Sequence, residues 1–386
     1  MDLKKIIPLY IGAAVGPLGG FGVVAIVPVF AGVWSIDFAA ASLAITFYMI
    51  PFIAIQIFSG PIAQLFDVRR TLLAGFGIYT LGGILCALSG SFSFFLIGRI
   101  VQGTGGAFLT PILMAMVGEV VPARHLGKAM GGLGLAYTAG VTLGPAISGL
   151  IEVRCGWQGF FYFLSALSAI TSLYFMIWCK DVCPQTEGGH SLFGIFPLIR
   201  RAISLPGVVS LSLAAFSLFV AYIGIMTFTA DYLKTTFALP SDRIGLLLSL
   251  TGLSGLIMSP IAGVLGDRYG RHMVFAGGTI IMLAALGLML SLPFHYGHDM
   301  ALFLLLGAGS ATAWTSLNTM AVQASPELRT PVTSIYNALK FSGYALSPVI
   351  LSIFYGDNRL TTVQLACGGA IIVSLLLALR ARQTLR

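Results

Sequence analysis

Charge is what this chain has least of. Asp, Glu, Lys and Arg make up 9% of its 386 residues, where an ordinary soluble domain carries about 25%. With 57% hydrophobic residues and a mean hydropathy of +0.96, a water-facing globule is excluded. Cysteine is scarce as well: the five are scattered, mostly within apolar runs, and build no disulfide framework. Cys179 and Cys183 stand near each other without carrying a metal or redox reading, and His295 and His298 have helical ligand spacing but no further ligands. There is no Gly-rich phosphate loop, nucleophile elbow or zinc motif, and no grouped nucleophile, base or metal cluster, so the chain does not read as an enzyme.

What it has instead is apolar length. About 20 apolar residues cross the roughly 30 Å hydrocarbon core of a bilayer. Twelve such runs recur, at about 6–33, 39–64, 71–90, 93–118, 126–151, 156–179, 205–230, 242–265, 273–293, 299–323, 329–355 and 361–381. Almost nothing is left for a soluble domain. The first run follows Lys4 and Lys5, is too long for a signal-peptide core and lacks a small-residue cleavage site, so it reads as retained.

The net charge of +8 does not point to nucleic acid, because the basic residues are distributed by topology. With the N-terminus inside, fifteen Lys and Arg fall on the inner side and four on the outer, and two, Arg99 and Lys340, lie within runs. This bias places both termini in the cytoplasm, in the cytoplasmic (inner) membrane of a prokaryote.

The longest polar break, Lys180 to Ser204, divides six runs from six. The chain therefore reads as an N-terminal bundle (1–179), a cytoplasmic linker (180–204) and a C-terminal bundle (205–386). Within the linker, "LFGIFPLIRRAISL" alternates apolar bulk with Arg200 and Arg201, as suits a helix on the inner membrane surface. The bundles are written in the same order. "GPIAQLFDVRRTLLAG", from Gly60, has a cousin 203 residues later in "GVLGDRYGRHMVFAGG", from Gly263, and Pro145 and Pro348 stand 203 apart. Two parallel six-helix repeats are a transporter architecture, with the substrate site near midplane and access alternating between sides.

The phrase "GVLGDRYGR" resembles motif A of the major facilitator superfamily, the loop between helices two and three of a half. "LIGRIVQGTGGA" (Leu96 to Ala107) resembles its motif B, and "GVTLGPAISG" (Gly140 to Gly149) the helix-five motif C of its drug:proton antiporters. The resemblance covers nearly the whole chain and is most like the twelve-helix drug:proton antiporter family. It implies an all-α membrane protein of two pseudo-symmetric bundles, a motif A latch that holds the inner gate shut, and efflux driven by a proton gradient without a bound cofactor.

The residues themselves carry physical expectations. Gly263 permits close helix approach, Asp267 can accept hydrogen bonds at a neighbouring helix N-terminus, Gly270 supplies a turn, and Arg268 and Arg271 add inward-facing cations. In the first copy Gly60 is kept, Gln64 stands where Asp267 does, Asp67 where Gly270 does, and Arg69 and Arg70 follow. Either helix two runs one turn further, which brings Gln64 and Asp67 onto one face, or Asp67 simply takes the turn. Arg99 is costly inside a bilayer and should face a cavity, a partner or the headgroups, with Gln102 on its face. Gly140, Gly144, Pro145 and Gly149 can bend helix five and let the other half approach, or serve ordinary small-residue packing.

Lys340, beside Tyr336 and Asn337, can bind an anionic substrate, meet a motif A carboxylate or sit neutral. Tyr137, Tyr222, Trp314 and Asn318 fall mid-run and complete the candidate pocket. The first run holds no acid. Protons then fall to peripheral acids, Asp67 or Asp231, while an aromatic pocket takes lipophilic molecules; alternatively a positive cavity takes an organic anion, by exchange or facilitated passage. A transporter-shaped sensor is the remote third reading. The expected partners are a small-molecule substrate and the lipid bilayer, with no nucleic acid, and a monomer is the default.

Overall fold

The structure is a computed structural model that describes residues 3–120, 123–178, 195–325, 328–356 and 360–384. Every regular element among them is helical. The first pass is not one helix: α1 (Leu3–Gly22) gives way to a 3₁₀ turn, Val23–Ala25, and resumes as α2 (Val27–Trp34), with proline at the start of the new helix. Then follow α3 (Phe38–Phe66), α4 (Val68–Ala87), α5 (Phe92–Val120) and α6 (Ala123–Trp178). Asp37 caps α3, its Oδ1 accepting from the Ala40 amide at 2.6 Å. The 56 residues of α6 are two passes joined at Gly156, whose φ of 73° breaks the helix where only glycine sits without strain.

After the undescribed 179–194 come α7 (Ile195–Ile203), α8 (Val208–Phe237), α9 (Ser241–Tyr269), α10 (Arg271–Ser291), α11 (Tyr296–Gln323), α12 (Arg329–Ser352) and α13 (Leu360–Thr384). Ten segments among the described residues are apolar and long enough to span a bilayer, one of them 46 residues long. Counting that one as two passes and adding α12, whose polar face lowers its hydropathy, gives twelve. The chain divides into two compact units, Met1–Leu192 with Pro240–Gly245, and Phe193–Leu239 with Leu246–Arg386. α7 belongs to the second: Ala202 packs with Val208, Leu328 and Val332, leaving Arg200 and Arg201 exposed. Cys179 and Cys183 lie outside the described residues.

The two units are assembled alike. In the first, α1 rests on α6 and α4 on α5; in the second, α8 rests on α12 and α10 on α11. The close approaches fall at corresponding glycines. A side chain on Gly75 would strike Phe108 and the Gly105 carbonyl, and one on Gly278, 203 residues later, would strike the Gly309 carbonyl and the Ala313 amide. Gly140 lies against the Ala14 carbonyl and Gly343, again 203 later, against that of Phe216. These contacts let backbones pack at a distance that no side chain would tolerate.

Candidate functional site

In the first unit the embedded cation is sealed in. Arg99 is 0% exposed; its Nε donates to the Ala44 carbonyl at 2.9 Å and its Nη1 to Gln102 Oε1 at 2.6 Å. Its guanidinium lies 4.3 Å from the centre of the Tyr48 ring. Tyr48 and Tyr79 donate in turn to the Gly16 and Val15 carbonyls of α1, each at 3.0 Å. The expectation that Arg99 and Gln102 line an open cavity is therefore corrected. Two turns into α5, Arg99 reaches across to α3 and ties the helices of its own unit, and Gln102 is as buried as it is. Tyr137 is half-buried on α6 and stands apart from these hydrogen bonds.

The second unit treats its cation differently. Lys340 is half-buried, and its Nζ donates to Asn337 Oδ1 at 2.8 Å. Phe341, Tyr336 and Phe219 surround it, with ring centres at 4.6, 5.5 and 5.7 Å. The cluster continues through Phe219 to Trp314 and on to Tyr222, whose hydroxyl lies 2.9 Å from Thr251 Oγ1. The Tyr336 hydroxyl is buried with no hydrogen-bond partner among the described residues. No described carboxylate stands within ion-pair distance of Lys340. Asn318 is exposed, four residues beyond Trp314 on α11. Thus Tyr222, Trp314, Tyr336, Asn337 and Lys340 come together. Sequence reasoning missed Phe219 and Phe341, although Phe341 adjoins Lys340 and Phe219 precedes Tyr222 by one helical turn.

Asp231, on α8, is 3% exposed, and its Oδ2 accepts from the Tyr355 hydroxyl at 2.8 Å. Tyr355 lies beyond the last turn of α12, in a stretch with no helical pattern to advertise it.

Both motif A loops make the same backbone break. Asp67 sits at φ 81°, ψ 123° and Gly270 at φ 90°, ψ 139°. Helix two ends at Phe66, so it gains no extra turn, and the idea that Gln64 and Asp67 share a helical face fails. Asp67 takes the turn itself and caps α4, its Oδ1 accepting from the Arg70 amide at 2.9 Å. Arg69 reaches back to the Met176 carbonyl at 2.9 Å, and Arg70 is exposed. The Gln64 side chain and the surroundings of Gly60 are outside what is described. In the second copy Asp267 pairs with Arg271, whose Nη1 also donates to the Gly263 carbonyl at 2.8 Å, while Arg268 is exposed. Gly263 thus admits no neighbouring helix in its unit, since a side chain there would meet open space. Its use is its carbonyl.

Motif C divides by residue. Gly140 and Gly144 seat helix five on α1 of the same unit, the ordinary packing reading, so the other half is not what they admit. Gly149 and the Pro145 carbonyl lie against Ser241 and Gly245, in the segment Pro240–Gly245 that belongs to this unit.

Residues 9–348 match the family model of the Major Facilitator Superfamily, and residues 210–385 match it again. The chain belongs to the major facilitator superfamily. It is a transporter and not an enzyme. Among its superfamily relatives, the "uncharacterized MFS-type transporter YwfA" of Bacillus subtilis is 26% identical over 92% of this chain and 86% of its own length. Multidrug resistance protein Stp of Mycobacterium tuberculosis is 24% identical over 75% of this chain, and the match spans 64% of that longer protein. The putative multidrug resistance protein MdtD of Escherichia coli is 26% identical over 70% of this chain and 68% of its own. Two solved structures share the fold: a bacterial homologue of the human lysosomal transporter Spinster, with TM-score 0.79, 16% identity and coverage of 100% and 96%, and a POT family transporter, with TM-score 0.78, 13% identity and coverage of 99% and 96%.

Proposed function

We propose that this superfamily member exports small amphipathic molecules by alternating access, in exchange for protons. The buried Asp231 carboxylate carries the reading. It lies in a membrane helix with a tyrosine hydroxyl as its partner and no described cation on it. A carboxyl held in this way can take up a proton and release it when the surroundings change, which is what coupling to a proton gradient requires. The relatives named as multidrug resistance proteins and the motif C resemblance support efflux. The rings of Phe219, Tyr222, Trp314, Tyr336 and Phe341 supply an apolar wall for the substrate. Asp67 is the weaker proton candidate, because it is exposed and spends its carboxylate on a helix cap. The Lys and Arg asymmetry and the bacterial relatives support an inner-membrane protein with both termini in the cytoplasm.

One observation favours a second reading. Lys340 has an amide oxygen and aromatic faces but no described acid, and the unpartnered Tyr336 hydroxyl stands beside it. An organic anion with an aromatic body fits that chemistry. Proteoliposomes under an imposed pH gradient separate the two, with a lipophilic cation and an aromatic carboxylate as parallel substrates. Substrate-driven proton flux that Asp231→Asn abolishes is the expected result. Transport with no proton movement overturns antiport, and anion-selective transport lost in Lys340→Ala establishes the second reading in its place.

A further inference from the structure

The second unit also holds a cavity of about 390 Å³ that neither reading uses. It lies at the end of α10 far from the Asp267–Arg271 loop, walled by α8, the α10–α11 connection and the start of α13. Leu233, Met289, Leu290, Leu292 and Leu360 form its apolar side. Its polar lining is Thr229, Tyr232, Asp299, Thr361 and Gln364, with the Phe294 ring beside them.

Asp299 is the one formally charged group among the lining residues, and it is negative. Its Oδ2 accepts from the His295 amide at 3.1 Å, which fixes the carboxylate at the first turn of α11 and leaves Oδ1 for a ligand. The rings of Phe294 and Tyr232 add negative π-faces, and Phe237 braces both, 4.3 Å from the first and 5.7 Å from the second. Thr229 is 6% exposed, yet its Oγ1 has no hydrogen-bond partner among the described residues, and a buried hydroxyl left so is costly. Gln364, 5% exposed, presents an amide to the same space. His295 and His298 flank Asp299, their rings 4.7 Å apart. Among the described residues no group of three or more His, Cys, Asp or Glu has the arrangement to hold a metal ion, so a bare divalent cation is a poor fit.

One fixed carboxylate, two aromatic rings, an unsatisfied hydroxyl and five leucine and methionine side chains suit a positive charge carried on an apolar body. We infer that this cavity binds a small organic ammonium. Its lining includes neither Asp231 nor any residue of the Lys340 cluster, so the inference does not rest on either transport reading. Two sources share the chemistry: a free amine or quaternary ammonium solute, and the ammonium headgroup of a neighbouring lipid.

Equilibrium dialysis of radiolabelled benzyltrimethylammonium against the full chain tests it, in nanodiscs of phosphatidylglycerol, a lipid with no ammonium. The expected result is saturable binding that weakens about tenfold, roughly 1.4 kcal/mol, in Asp299→Asn. Binding should vanish in Thr361→Trp, which fills the space. The readout is equilibrium binding and not transport or proton flux, so failure here is distinguishable from failure of the transport readings. Replacing the lipid with phosphatidylethanolamine names the source: weaker apparent affinity identifies the headgroup as occupant, and unchanged affinity a free solute. Equal binding by wild type, Asp299→Asn and Thr361→Trp, with all three equally stable to heat, overturns the inference. So does equal competition by the uncharged tert-butyl analogue of the probe.

Discussion

Arg99 and Lys340 are cations embedded in membrane helices, one in each unit, and the units use them in opposite ways. Arg99 is enclosed, with its fork divided between a backbone carbonyl, an amide oxygen and a tyrosine face. Lys340 is half-buried on a single amide oxygen, inside a ring of aromatic side chains. Guanidinium geometry suits the first role, because a rigid fork ties several groups at once, whereas a compact ammonium suits the second. The first charge holds helices together; the second stands among rings, where the second proposed reading would have it meet an anionic substrate.

The sharpest way to break this comparison is Arg99→Ala. It takes the Gln102 amide oxygen's partner away in the core and leaves a void under Tyr48, at a cost on the order of 3 kcal/mol. Loss of folded protein on size exclusion and a lower melting temperature are expected, with Arg99→Lys recovering only part. A stable, active Arg99→Ala would dissolve the distinction. Lys340→Ala should do the reverse: a melting temperature within a few degrees of wild type, and uptake of an aromatic carboxylate by proteoliposomes reduced about tenfold, the worth of one contact of roughly 1.4 kcal/mol. If stability and transport fall together, Lys340 is structural too. A third change acts on the repeat itself. Gly140→Leu and Gly343→Leu each drive a side chain into a facing carbonyl, and each should destabilise by about 1–3 kcal/mol, read as thermal unfolding of the purified protein. Unequal effects would show that the halves do not rest on this contact alike.

The smallest effect belongs to the motif A turns. Asp67→Gly removes a cap worth about 1 kcal/mol and relieves a positive φ worth a similar amount, so its melting temperature should hardly move. Gly270→Ala lacks the compensating cap and should lose about 1 kcal/mol. Asp67→Asn, which keeps both the turn and a capping oxygen, should leave transport intact. A transport defect there would revive the relocated acid of the first loop.

Much of the fold was legible because apolar length and the 203-residue echo are properties of the sequence itself. The broken first pass was not: nothing in "GGFGVVAIVPV" marks where helix yields to a 3₁₀ turn, since Pro28 opens the second piece and is no obstacle within it. The site was legible in composition and illegible in orientation. Lys340, Tyr336 and Trp314 announced themselves as polar or aromatic residues in apolar runs. Whether Arg99 faced a cavity or a neighbouring helix depended on the rotation of α5 against α3 and α4, and the small residues at those contacts, Gly103 and Gly82, read alike in either case. Gly140 and Gly263 show the same limit from the other side. Both read as glycines for close approach, yet one is pressed against a helix and the other offers only its carbonyl.

The joint at Gly156 offers a practical handle. Cys155, beside it, is exposed, while Cys86 and Cys367 are buried. A membrane-impermeant maleimide should therefore modify this position on intact cells if the termini face the cytoplasm, and only after the cells are opened if they do not. The native thiol at the bend between passes five and six thus serves as a built-in reporter of which way the protein was threaded into its membrane.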